Sequence, residues 1–311
     1  MKAKIAAALI LVVVAVSTAL AYGNGSSHQD STNAPQASGS SGASLSYSFT
    51  SIDFPGGNRT RTVGINDRSD VVGDYLDSAG VRHGYLLSQG TFTTFDAPGA
   101  IETRTNSINN RGVIGGHFLD GNSLRHGFLL DHGTFTVIDF PGATSTFLHN
   151  INDVGQVVGN YIDSAGILHG FLESAGNFTT IDFPGAVVSE IDVYGINDLG
   201  QIVGDYGDAS GIGHGFLLSA GKFTAIDFPG AFSFTSPIGI NNWGEIVGSY
   251  DDDNGATHGF TLIAGRFSTV DVPNAPNFNS PNRVNDKGQI VGSYAYFGQH
   301  GFLATPSLTK R

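Results

Sequence analysis

Six copies of one motif, 42 to 45 residues apart, fill most of this chain. The type unit reads FTTIDFPGA, a variable stretch, GINDLGQIVGDY, a variable turn, then HGFLLSAG. Its asparagine recurs at Asn66, Asn109, Asn152, Asn197, Asn241 and Asn285, and its histidine at His83, His126, His169, His214, His258 and His300. A period of about 43 residues is that of a four-stranded propeller blade, and one such unit cannot bury its own apolar face. The fold must therefore stack the units or arrange them in a ring.

Each unit divides into four short segments rich in Val, Ile, Phe, Tyr and Thr, separated by Gly, Asn, Asp and Pro, with no helical periodicity. The chain is read as all-β. In the fourth copy, strand a is expected near Tyr194–Asn197, b near Gln201–Tyr206, c near His214–Ser219 and d near Lys222–Phe228. Asn197-Asp198-Leu199-Gly200 is turn chemistry between a and b, and Ala220-Gly221 is a two-residue hairpin loop between c and d.

Phase decides between stack and ring. The repeats open on a lone strand d, FTSIDFPG from Phe49, and stop after a strand c, HGFLA from His300. An open stack would leave both fragments as bare sheet edges, which proteins avoid. A six-bladed β-propeller, in which the N-terminal strand completes the C-terminal blade, uses both. Two-residue c-to-d loops then set His83 opposite Asp96, His126 opposite Asp139, His169 opposite Asp182, His214 opposite Asp227 and His258 opposite Asp271. His300 and Asp53 are left over, and ring closure pairs them. A bulge at the loop glycine would slide this register by one.

The I-N-D-x-G-x-x-V-G core and the His-x-Phe strand resemble the extracellular repeat known as the HAF family, over roughly Phe49 to Leu303. This chain carries His-Gly-Phe or His-Gly-Tyr where that name implies alanine. The resemblance implies export and repetition, and brings no established activity or site with it.

The chain ends fit export. Lys2 and Lys4 precede an apolar run from Ile5 to Val16, and Ala19-Leu20-Ala21 offers small residues for cleavage, so residues 1–21 are read as a signal peptide. Residues 22–46 are Ser, Gly, Asn, Gln and Ala with little to bury, a flexible leader. The propeller is expected over 47–305, with a tail at 306–311. There is no cysteine, hence no disulfide and no thiol chemistry. Fifteen basic residues against 27 acidic ones leave a formal charge of −12, and the scattered Lys and Arg form no stripe for a phosphate backbone. Nucleic acid is not an expected partner, nor is a membrane after cleavage. A secreted monomer, periplasmic or extracellular, is expected.

Six histidines beside six aspartates invite an acid–base or metal reading. A residue recurring once per blade answers a demand recurring once per blade, and a charge-assisted bond between strands c and d meets it. Repeated Asn-Asp-x-Gly could suggest calcium loops, but turn capping accounts for it. Asp251, Asp252 and Asp253 form the best local calcium candidate, lacking a distal glutamate at loop spacing. No phosphate loop, nucleophile elbow or H-E-x-x-H motif occurs, so no positive feature marks an enzyme.

In a propeller the d-to-a and b-to-c connections share one face, and the a-to-b and c-to-d turns share the other. The second set is nearly uniform here and reads as scaffold. The d-to-a stretches differ in every copy and read as loops free to carry recognition. Arg59, Arg61, Arg104, Phe147, His149, Tyr194, Phe232, Phe234 and Phe278 are the contact candidates, expected to form a face rather than a pocket. The expectation is a non-catalytic module that binds a glycan, a surface polymer or a protein through this face. The alternative is a carbohydrate- or lactone-active hydrolase or lyase with a metal in the central channel, which channel carboxylates or histidines unique to one blade would favour.

Overall fold

The computed structural model describes residues 44–187, 191–275, 278–295 and 298–309. Residues 1–21, read as a signal peptide, and nearly all of those read as a leader lie outside these residues. Twenty-four strands form six separate four-stranded antiparallel sheets. Blade 1 runs through Arg59–Ile65, Val71–Leu76, Arg82–Ser88 and Thr91–Phe95 as strands a to d. Blades 2 to 5 repeat this order.

Blade 6 is composite. Asn279–Val284, Ile290–Ala295 and Gln299–Thr309 are its strands a to c, and the N-terminal strand Ser44–Ile52 is its d. The pairing runs from Ser44 opposite Thr309 to Ile52 opposite Gly301. It extends past the expected limits of 47 and 305, so Ser44 to Ser46 and Pro306 to Thr309, assigned to leader and tail, are paired strand.

The c-to-d loops hold two residues. Ser88 pairs with Thr91, and Gln89 and Gly90 between them both have positive φ, 50° and 79°. That is the type I′ geometry whose twist matches the strands it joins. His132-Gly133, Ala175-Gly176, Ala220-Gly221 and Ala264-Gly265 repeat it. No bulge intervenes, and the histidine register follows without a slip.

Every strand a carries a bulge, at Val63, Asn106, His149, Tyr194, Ile238 and Asn282. The bulge brings the strand a backbone onto strand b, where the repeat has glycine. A Cβ on Gly159 would collide with the carbonyl oxygen of Phe147, and the corresponding glycine of every other blade meets the same obstacle. The V-G of the repeat thus records a close approach of two strands.

The aromatic residue after His-Gly fills the middle of each blade: Tyr85, Phe128, Phe171, Phe216, Phe260 and Phe302 are all fully buried. The phenylalanine of the DFP segment packs between blades. Phe54, Phe140, Phe183 and Phe228 stack almost parallel on Tyr75, Tyr161, Tyr206 and Tyr250 of the following blade, with ring centroids 3.6 Å apart. Ala97 and Val272 stand at the other two junctions.

Candidate functional site

Strands a line the central channel, and its two ends differ. At the a-to-b end the repeated asparagines form a closed circuit. The Nδ2 of Asn66 donates to the Asn109 carbonyl, Asn109 to Asn152, Asn152 to Asn197, Asn197 to Asn241, Asn241 to Asn285, and Asn285 back to Asn66, at 2.9 to 3.3 Å. Each asparagine also caps its own turn, as Asn197 Oδ1 does by accepting from the amides of Leu199 and Gln201. The next residues make a second circuit. The amide of Asp67 donates to Asn110 Oδ1, and the pattern continues through Asp153, Asp198, Asn242 and Asp286 to Asp67. Turn capping, the reading of the sequence, is half of the role, and joining the blades is the other half.

This end is less uniform than its turns suggest. The third residue of each turn points to solvent and changes character around the ring: Arg68, Arg111 and Lys287 on three adjacent blades, Val154, Leu199 and Trp243 on the other three. Those last three are 64%, 72% and 73% exposed.

The six histidine–aspartate pairs are present. Nδ1 of each imidazole lies 2.7 to 3.0 Å from the opposite carboxylate, His300 and Asp53 included. Five of them also face a second carboxylate, a pairing that the sequence reading passed over. Nε2 of His83, His126, His169, His214 and His258 lies 3.4 to 3.7 Å from Asp77, Asp120, Asp163, Asp208 and Asp252. Burial lowers the pKa of His83, and the bonds and charges of Asp96 and Asp77 more than offset it, leaving it raised. The second aspartate caps the b-to-c turn: Asp77 Oδ1 accepts from the amides of Ala79 and Val81. These groups are the periodic stitching of the blade.

The acidic turn of blade 5 has prior commitments. Asp251 accepts from the amides of Ser233 and Phe234, Asp252 from those of Asn254 and Ala256, and Asp253 from the Asn254 side chain. Among the described residues no three His, Asp or Glu side chains are grouped so as to hold a metal.

At the d-to-a end the channel widens into a cavity of about 320 Å³. Arg61, Arg104, His149, Tyr194 and Phe278 line it, so five of the nine candidates converge on one pocket where a flat face was expected. The reason is that Arg59, Arg61, Arg104, Phe147, His149 and Tyr194 are not on loops. They belong to strands a, which begin earlier than the sequence suggested: Ile191–Ile196 in blade 4, against an expected start at Tyr194. Phe147 stands beside the pocket, its ring edge-on to His117 at 5.4 Å and under the guanidinium of Arg125 at 5.9 Å. Arg59 is exposed at the strand's start, and Phe232 is 66% exposed on its loop. Phe234 bridges to Gly213 and belongs to a separate cavity.

The floor of the cavity is Arg283, at a position filled by Gly64, Ser107, Asn150, Gly195 and Gly239 in the other blades. Its guanidinium crosses the channel and donates to the carbonyls of Ile238, Asn282, His149 and Tyr194, at 2.7 to 2.9 Å. Burial lowers its pKa to about 10, which still leaves it a cation at neutral pH. The centre of the channel, where the alternative reading put a metal, is filled by this side chain.

Two histidines in the wall are held neutral. Burial pushes His149 down to about 4, with Arg283 and Arg61 adding to it, and pushes His117 well below its ordinary value, with His149 and arginines adding to it. Their bonds fix the tautomers. His149 Nδ1 donates to the Val193 carbonyl at 2.9 Å, leaving Nε2 an acceptor. His117 Nδ1 lies 3.0 Å from the Asn106 amide nitrogen, which also donates to Leu148 O, so His117 Nδ1 accepts and Nε2 carries the proton.

One pair of inner residues per blade varies freely across strands a and b: Arg61 with Asp74, Arg104 with His117, Phe147 with Asn160, Asp192 with Asp205, Ser236 with Ser249, and Ser280 with Ser293. Asp74 holds both Arg61 and Arg82, and Glu102 holds both Arg104 and Arg125. Blades 1 and 2 thus each set two guanidiniums against one carboxylate beside the channel. In blade 4 two carboxyls face each other. Burial raises Asp192, and burial together with the charge of Asp192 raises Asp205, so both carboxyls hold a proton to higher pH than an ordinary aspartate. Tyr194 lines both this pair's cavity and that of the channel. His117, Arg283, Ser293, Asp192 and Asp205 escaped the sequence reading, although aligning the six copies column by column shows that their positions vary from blade to blade.

No family model matches the chain, and no curated protein sequence matches it. Solved structures do. AofleA from Arthrobotrys oligospora superposes with a TM-score of 0.51 at 11% identity, over 85% of this chain and 93% of that one. The Aleuria aurantia lectin in complex with Fucα1-6GlcNAc gives 0.50 at 10%, over 83% and 97%. TolB from Acinetobacter baumannii gives 0.55 at 13%, over 78% and 64%. At these identities the likeness is one of fold.

Proposed function

We propose that this is an exported, non-catalytic propeller of the HAF repeat type that binds a sugar at the d-to-a end of its channel. The observation that carries this is the convergence of four variable strand a residues, with Phe278 just ahead of a fifth strand a, on one blind cavity. Its wall combines aromatic rings with fixed amide, hydroxyl and imidazole groups, the mixture that fixes a polyhydroxylated ring by stacking and by hydrogen bonds. A lectin of similar fold has been solved with a fucosylated disaccharide, which supports the ligand class without locating the site. Export rests on residues 1–21. A glycan array probed with the full-length secreted protein, against an Arg104→Ala and Tyr194→Ala double variant, tests the reading. Equal signals from both proteins would remove the cavity from consideration, and no signal from either would remove sugars.

A hydrolase is favoured by one observation, the Asp192–Asp205 pair, which no other blade has. A protonated and an ionised carboxyl side by side can act as acid and base. Release of reducing ends from a polysaccharide, abolished by Asp192→Asn, would establish it.

A further inference from the structure

The cavity discriminates by charge and by chain end. We propose that its ligand is the terminal, carboxylate-bearing sugar of an acidic glycan, a uronate being the simplest case. This rests on the sugar-binding reading above and narrows it.

The charge balance is the first ground. Arg61 and Arg82 share one carboxylate, Asp74, and Arg104 and Arg125 share one, Glu102. Arg283 has four carbonyls and no carboxylate among its bonds. Among these bonded groups five guanidiniums stand against two carboxylates, and three of the guanidiniums, those of Arg61, Arg104 and Arg283, line the cavity while neither carboxylate does. Asp192 and Asp205 line a separate cavity beyond Tyr194. An anionic group entering the cavity is drawn to one wall, which orients the sugar it is attached to.

Unused bonding capacity is the second. Ser293, 4% exposed, and Arg283, 8% exposed, both line the cavity, and neither Ser293 Oγ nor Arg283 Nε has a hydrogen-bond partner. Buried polar atoms without partners are rare because each costs free energy, and the residues lining this cavity hold three of them, Arg61 Nε being the other. Ser293 can donate or accept toward a hydroxyl, Arg283 Nε can only donate, and His149 Nε2 can only accept. Together with arginine forks for a carboxylate, this is the complement of an acidic sugar.

The third ground is the closed floor. Because Arg283 blocks the channel, a polymer cannot thread it, and about 320 Å³ accommodates one or two sugar rings. The ligand enters as a chain end.

Isothermal titration of the full-length protein with D-galacturonate, D-glucuronate, D-galactose and D-glucose is the test. Saturable binding of a uronate, at least tenfold tighter than the matching hexose and weakened by salt, is expected. Arg104→Gln should weaken it by about tenfold to a hundredfold, the loss for a hydrogen bond to a charged group. Ser293→Ala removes one oxygen without touching an ion pair, and should weaken binding severalfold while the protein stays folded by circular dichroism. Binding sites per gram of polygalacturonate should rise as the polymer is cut shorter. Hexoses bound as tightly as uronates would overturn the charge inference and leave the sugar-binding reading standing. Uronate binding unchanged by both substitutions would overturn the location. Binding by neither sugar class would end both readings.

Discussion

Nδ1 of His300 lies 2.8 Å from a carboxylate oxygen of Asp53, 247 positions earlier in the chain. Five blades make this bond within one repeat, and the sixth makes it across the two ends of the repeat array. The N-terminal strand is thus the outer wall of blade 6. Deleting residues 44–55 should bare strand Gln299–Thr309 as an edge and lower and broaden thermal unfolding, whereas deleting residues 23–42 should leave the transition in place. Coincident melts of the two truncations, followed by circular dichroism, would refute closure.

The paired histidines should be worth less than a buried-pair argument suggests. The side chains of His169 and Asp182 are 22% and 55% exposed, so water competes for both. A double-mutant cycle on His169→Ala and Asp182→Ala is expected to give a coupling of roughly 0.5 to 1 kcal/mol, within the range of exposed pairs. Additive losses would show that the contact adds no stability.

Two glycines of blade 3 should respond differently to alanine. Gly159→Ala drives a methyl group into the Phe147 carbonyl and should destabilise by about 1 to 3 kcal/mol or more, with backbone displacement. Gly176, at φ 83° in an open hairpin loop, has nothing within 4 Å of its virtual Cβ, and the same change there should cost about 1 kcal/mol. Urea midpoints in the opposite order would mean that the bulged strand yields easily.

The Asp192–Asp205 pair predicts a pH-dependent gain from substitution. An acid whose folded pKa stands above its unfolded value takes up a proton on folding. Its contribution is most favourable below the ordinary aspartate value of about 4 and declines as pH rises through the raised one. Asp205→Asn should therefore be more stable than the parent at pH 8, on the order of 1 to 3 kcal/mol, with the difference closing toward pH 4. His117 and His149, with lowered values, work the other way: their stability is lost as pH falls from about 6.5 toward the folded values. That loss is common to both proteins and cancels in the difference. A constant difference from pH 4 to 8 by chemical denaturation would show that the Asp205 pKa is not raised.

The frame was legible because its demands recur. Blade count, hairpin loops, histidine register and closure follow from residues that repeat at Asn66, His83 and Asp96 with their five counterparts and at Gly90 with its four. The site was legible only as variation. Strand a interiors read as loops because their side chains face a channel, where no neighbouring blade imposes a repeating partner, so Arg61, Arg104 and Asp192 could diverge without breaking the sheet. Arg283 could be seen as an oddity against Gly64 and Gly195, but nothing in the order of residues says that its guanidinium reaches the carbonyls of blades 3, 4 and 5. That contact depends on the width of the closed ring.

The asparagine circuit gives each blade one donor to pass forward and one acceptor to receive, always through the same two positions. Neighbours recognise each other by a shared coupling rather than by individually fitted surfaces. Exchanging blade 3 for blade 5, or duplicating one and losing another, would leave that coupling satisfied while dealing a new order of arginine, aspartate, serine and histidine around the mouth. The order of side chains around such a mouth is written blade by blade, and exchange among the five continuous repeats is enough to rewrite it.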